Sequence, residues 1–250
     1  MADTDSSTLD RLRTAIAHIE RGNAAGERPV LPFGVPALDC ALPRGGLVLG
    51  ALHEVSGNGA DLHGGAAAAL FAAGVVARLP GTVLWALEHP DLFAPGLAAA
   101  GLHPDRVVYA EAGPGGSVLL VMEEGLRHPG LAGVVGEVPG RLTLTASRRL
   151  QLAAEGSGVT ALVVRRGDEG VLNPTAAVTR WRVSALPAGP VLPSAPDVRG
   201  VGRGLWRLEL LRSRGGKTGS WMVGACDEAG RLGVAAPLAD GPAASAVSAA

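Results

Sequence analysis

Residues 52–65, LHEVSGNGADLHGG, combine an apolar run, a glycine-rich turn and the start of an alanine-rich stretch. That is the order in which a phosphate-binding loop is built: a strand, glycines whose amides converge on the phosphates, then a helix N-terminus. Gly57, Gly59, Gly64 and Gly65 supply the glycines. The cation is missing. Where a Lys and a Ser/Thr should follow the last glycine the chain has Ala66 and Ala67, and no basic residue lies between Arg44 and Arg78. A triphosphate would meet amides without a charge to neutralise it, so the turn is read as degenerate and no cofactor is expected. Gly215-Gly216-Lys217-Thr218 imitates the end of such a loop. Leu211 stands where its first glycine belongs, and strand-like segments flank it on both sides, so it reads as a hairpin tip.

Metal chemistry and nucleophilic catalysis find little support. The six histidines include no pair at ligand spacing, and Cys40 and Cys226 have no clustered partner, so no metal is expected. Basic residues are the other candidates. The net charge of −1 conceals a split: residues 1–140 carry −7, residues 141–217 carry +8 and the remainder −2. Within the basic block stand Arg148 and Arg149 on a predicted helix, Arg180 and Arg182 around Trp181, and Arg212, Arg214 and Lys217 at the hairpin tip. They are candidate contacts for DNA or a protein partner; solvated surface is the competing reading, with pairing to Glu155 open to the arginines of the helix. Trp181, Trp206 and Trp221 are read as core residues first and base-stacking residues second.

The elements positioning these residues follow from periodicity. Residues 8–20 (Leu9, Leu12, Ile16, Ile19) read as an amphipathic helix. Strands are predicted at 47–55, 82–87, 107–110, 131–135 and 159–164, with helices at 65–79, 91–100, 117–127 and 143–155 between them. Such alternation predicts a mostly parallel twisted sheet flanked by helices. After residue 165 a proline-rich connection leads to a C-terminal antiparallel β-hairpin, 205–211 with 220–225. The predicted organisation is an N-terminal extension and linker (1–29), one α/β domain (30–235) and a disordered tail (236–250). Gly 37 and Pro 18 are high counts, but 47% hydrophobic residues suffice for a core. No apolar run approaches the ~18 residues of a membrane span and no signal peptide is readable, so a cytoplasmic location is expected and no membrane partner.

Residues 31–65 resemble the lead-in to a RecA core, with Gly34, Leu38, Asp39, Gly45, Gly46 and Leu47 at matching places. Trp85-Ala86-Leu87-Glu88-His89 resembles the strand end that carries the RecA catalytic glutamate, which would fall on Glu88. Val134-Val135-Gly136-Glu137 lies where RecA has its magnesium-site aspartate; Gly136 replaces that acid and Glu137 is one residue out of register. The chain is more closely similar to the ImuA family, through Leu52-His53-Glu54-Val55, Ala94-Pro95-Gly96-Leu97, Val135-Gly136-Glu137, Thr145-Ala146-Ser147-Arg148-Arg149 and the 209–221 hairpin, over roughly residues 30–235. That resemblance implies a RecA-like core with a degenerate phosphate loop. It also implies an accessory role in SOS mutagenesis and translesion synthesis after DNA damage. The implied partners are the Y-family-like polymerase homologue ImuB, an error-prone DnaE-type polymerase reached indirectly, and RecA or DNA. A non-catalytic protein is the expectation, with Glu88 and Glu137 vestigial. Two alternatives remain: an unorthodox RecA-like ATPase in DNA repair, using Glu88 with Lys217 lent by a neighbouring subunit, and a cell-division inhibitor similar to SulA.

Overall fold

The computed structural model describes residues 28–58, 61–113, 117–167, 173–188 and 202–234. The readings for the helix at 8–20, Gly59, most of the proline-rich connection and the tail fall outside them. Two short strands, β1 (Val30–Leu31) and β2 (Leu47–Val48), pair antiparallel across a turn of helix, α1 (Pro36–Asp39). The Asp39 carboxylate accepts the amides of Phe33 and Gly34 at 2.7 and 2.9 Å, and Gly34 takes φ +80, while Leu38 is fully buried. The Gly34-to-Asp39 pattern is thus a turn that holds itself closed and pins one leucine.

The other strands form one nine-stranded sheet: β3 (Leu52–Gly57), β4 (Thr82–Leu87), β5 (Val107–Glu111), β6 (Leu131–Pro139), β7 (Thr160–Arg166), β8 (Thr179–Leu186), β9 (Leu205–Ser213), β10 (Gly219–Gly224) and β11 (Gly233–Val234). Their order is β11-β10-β9-β8-β3-β7-β6-β4-β5. From β8 through β5 every neighbouring pair is parallel; β8 to β11 are antiparallel. The helices are α2 (Asp61–Ala77), α3 (Ala94–Ala99), α4 (Val118–Gly125) and α5 (Leu144–Ser157).

Helix α2 is apolar on nearly all sides and its described residues are mostly buried, as expected of a helix enclosed by protein. It packs on one face of the sheet, where Phe33, Phe71, Trp181 and Trp206 have ring centroids 5.5 to 6.4 Å apart. Helices α4 and α5 cover the other face, around Met122, Leu126, Leu142 and Leu150. α4 and α5 open with Ser117 and Thr143, whose hydroxyls accept the amides of Leu120 and Ala146.

Three sequence expectations need correction. The single strand at 47–55 is broken into β2 and β3, because Gly50 (φ +62) turns the chain so closely on Gly158 that a Cβ would lie 3.1 Å from it. The 131–135 strand extends to Pro139, which places Gly136 and Glu137 inside β6. β8 was not anticipated; it supplies a sixth parallel strand before the hairpin.

Candidate functional site

Connections leave β3 towards β4 and, after β7, cross to its other side at β8, so strand order switches direction at β3. In open α/β sheets the crevice beyond the carboxyl ends of the strands at such a point is the usual ligand position. Four features meet that edge: the Gly57 end of β3, Glu88 and Asp91 following β4, Glu137 in β6, and Arg166 at the end of β7.

Glu137 is the best-defined carboxylate there, at 3% exposure. Trp85 lies opposite Val135 in the parallel ladder, so its side chain shares the face of Glu137 two residues on. The Trp85 Nε1–H donates to Glu137 Oε1 at 2.9 Å, and Arg166 Nη1 donates to Oε2 at 2.5 Å. Arg166 Nη2 then bridges to Asp91 Oδ2 at 2.8 Å. That hydrogen bond, chiefly, holds the Asp91 carboxyl below its ordinary range. Both oxygens of Glu137 are occupied from within the chain. Glu88 sits half-buried at the end of the neighbouring strand. One residue before Glu137, a Cβ at Gly136 would lie 2.1 Å from Met122 Sδ, so the place of the missing acid is filled by the α4 methionine.

The glycine-rich turn is shorter than expected. Helix α2 begins at Asp61, not Gly65, so Gly64 and Gly65 are helical residues and only 58–60 separate strand from helix. The amide of Gly65 belongs to the internal ladder of α2, because only the first four N–H groups of a helix are unpaired within it. Lys217 lies at the opposite end of the sheet. Gly57 aligns with Val183 and Val183 with Leu208, and the tip follows Ser213, roughly 15 Å further along β9 at the usual rise per residue. Within one chain that ammonium does not serve the turn. Its backbone amide bonds to Ala41 O at 2.8 Å, seating the tip on the lead-in segment.

The basic candidates are scattered over different surroundings. Arg180 is not a surface contact: it is 6% exposed, and its guanidinium faces Glu54, directly across the β3–β8 ladder. Arg180 Nη2 donates to Glu54 Oε1 at 3.4 Å, to Asn173 O at 2.7 Å and to Thr175 Oγ1 at 2.9 Å, while Nε stands 3.2 Å from Glu54 Oε2 at an angle outside hydrogen bonding. Arg182 faces Glu209 at 3.9 Å. Arg212 and Arg214 donate to the carbonyls of Thr175 and Ala176, bracing the stretch that leads into β8. Arg149 is exposed and pairs with Glu123 of α4, not with Glu155, which Arg28 holds at 3.1 Å. Arg148 and Lys217 are exposed.

Sequence reasoning missed Arg166, Asp91 and the Glu54–Arg180 pair. A charged residue in an otherwise apolar strand is the signal that could have found the pair, since a buried charge demands an opposite one. It also missed a polar chain beneath β3. The Trp181 Nε1–H donates to Thr179 Oγ1 at 2.8 Å, whose hydroxyl donates to His53 Nδ1 at 2.7 Å, and His53 Nε2 donates to Val48 O at 2.8 Å. Burial drives the His53 pKa down to about 4, against a smaller opposing effect of Val48, so the ring is neutral. Trp181 and Trp206 are buried, as the core reading expects. Among the described residues no group of His, Cys, Asp and Glu is arranged to hold a metal, and no helix is long and apolar enough to cross a membrane.

No protein-family model matches the chain. Over 214 residues, 81% of this chain and 85% of the relative, it is 39% identical to Protein ImuA of Caulobacter vibrioides, with the same figures for two strains.

Proposed function

The chain belongs to the ImuA family, and from that membership we propose that it is a non-catalytic, RecA-like accessory protein of SOS-induced mutagenesis. In this reading it supports error-prone synthesis across damaged template by holding a Y-family-like polymerase homologue, ImuB, with the DnaE-type polymerase engaged indirectly. The observation that carries the non-catalytic part is Glu137. A carboxylate that ligates magnesium or activates water must present an open lone pair to a ligand that can reach it, and Glu137 is 3% exposed. Here the indole of Trp85 and the guanidinium of Arg166 take one oxygen each. The short span between β3 and α2, the lack of a Lys or Arg between Arg44 and Arg78 in the sequence, the engagement of Arg166 by Glu137 and Asp91, and the methionine filling the space at Gly136 support the same reading. What remains is a scaffold whose surfaces, rather than whose crevice, do the work.

Affinity capture on the full chain from bacteria exposed to DNA damage tests the assignment. The proposal expects the polymerase homologue among the retained proteins. Recovery of the division protein FtsZ with no polymerase would contradict it and favour an inhibitor of the SulA kind.

A further inference from the structure

The two edges of the sheet are finished differently. One ends in β11, two residues long. The other ends in β5, Val107–Glu111, five residues that run in unbroken parallel register on β4. Protein edges are ordinarily protected by Pro, Lys, a bulge or a covering element. β5 has no Pro, Lys or bulge, and among the described residues its one strand neighbour is β4. Its side chains are unusually apolar for an edge: Val108 is 51% exposed on one face and Tyr109 38% exposed on the other.

The direction of the unpaired groups can be read from one bond. The amide of Ala112 donates to Leu87 O at 2.8 Å, so Ala112 faces β4. Main-chain direction alternates along a strand, hence Ala110 and Val108 also face β4. Tyr109 and Glu111 present their N–H and C=O groups outward, and Val107 its C=O, while the Val107 N–H is held by Pro104 O.

We propose that this edge joins a second copy of the same chain, β5 against β5, antiparallel, with the twofold axis at Tyr109. A strand can pair with itself about a twofold axis on a hydrogen-bonding position only if the central residue points both main-chain groups outward, and Tyr109 does. Each Tyr109 then exchanges both bonds with its counterpart. Glu111 N–H of the other copy donates to Val107 O, and the Val107 N–H keeps its bond to Pro104 O. The side-chain register is compatible as well: tyrosine meets tyrosine, Val108 meets Ala110, and Glu111 meets valine, so no like charges oppose one another. An isologous contact of this kind closes as a dimer. The edge is short against the ~1,600 Å² of a standard stable interface, so association is weak and concentration-dependent.

Sedimentation equilibrium of the full 25.1 kDa chain is the test. Twice that mass should appear as concentration rises into the hundreds of micromolar. Tyr109→Glu and Tyr109→Arg, each placing like charges across the axis, should stay monomeric alone and dimerise when mixed in equal amounts. A wild-type chain that is monomeric throughout overturns the proposal. So does either variant dimerising alone, or a mixture that remains monomeric. If a Tyr109 variant loses its far-UV circular dichroism, Val108→Lys takes its place: a monomer is expected, and a dimer overturns the interface. Dimerisation is independent of nucleotide binding and of polymerase capture.

Discussion

The Glu54–Arg180 pair shows how a residue that sequence places in a binding surface can belong to the core. Both side chains are more than nine-tenths buried. Removing one partner strands the other in a low-dielectric interior, a loss of about 3–5 kcal/mol, whereas replacing both by apolar residues of similar volume is close to neutral. Arg180→Met should therefore lower unfolding stability by about that amount, and Glu54→Leu with Arg180→Met should recover most of it, as read by urea denaturation. A surface role for Arg180 predicts no stability change in either variant. His53 gives a second residue-scale prediction. Its pKa is about 4 in the fold and about 6.5 in the unfolded chain, so the unfolded chain binds the extra proton between those values. Stability is then full above about pH 6.5 and falls as pH drops towards 4, by up to about 3 kcal/mol. Asp91 and Asp227, both held below their ordinary range, weaken the fold only at still lower pH. Stability measured from pH 7 to pH 4 should slope downward, and His53→Gln, which keeps a donor and an acceptor without a titrating ring, should flatten that slope.

At the scale of elements, the parallel sheet was largely legible because doubly covered strands are written as short apolar runs: Thr82–Leu87 begins and ends where the sequence places it. β8 was illegible for the opposite reason. Thr179, Trp181 and Val183 face the core, but Arg180 and Arg182 alternate with them, and their charges hide the pattern unless the partner Glu54 is known. The start of α2 is hidden in the sequence because glycines favour loops over helix. Burial of Gly65 offsets its weak helix propensity, and Gly64 and Gly65 both sit inside the helix. The site was legible as a missing lysine, but not as a closed cluster, since Asp91, Glu137 and Arg166 come from three separated stretches of chain: the loop after β4, β6 and β7. Helix α4 also determines what β6 can carry. Gly136→Asp restores the acid that the RecA resemblance expects, yet the new Cβ meets Met122. Overpacking of this kind costs about 1–3 kcal/mol before any burial of charge is counted. The variant should lose at least that stability in urea and gain no magnesium affinity by calorimetry; a stable, magnesium-binding variant would show that the crevice is open.

For the molecule as a whole, the ends of the sheet divide the charge. At the carboxyl edge of the parallel strands Arg166 bridges Glu137 and Asp91, while the hairpin tip carrying Lys217 lies at the other end, seated on Ala41. Arg166, at the end of β7 beside β3, is a cation at this edge, and its guanidinium is held by Glu137 and Asp91, so on the proposed function the turn between β3 and α2 is a structural joint. Isothermal titration of the full chain with ATP and magnesium, with phosphate release followed in parallel, tests this most directly. No binding heat at millimolar nucleotide and no release above the buffer rate are predicted; micromolar binding with turnover would contradict the account.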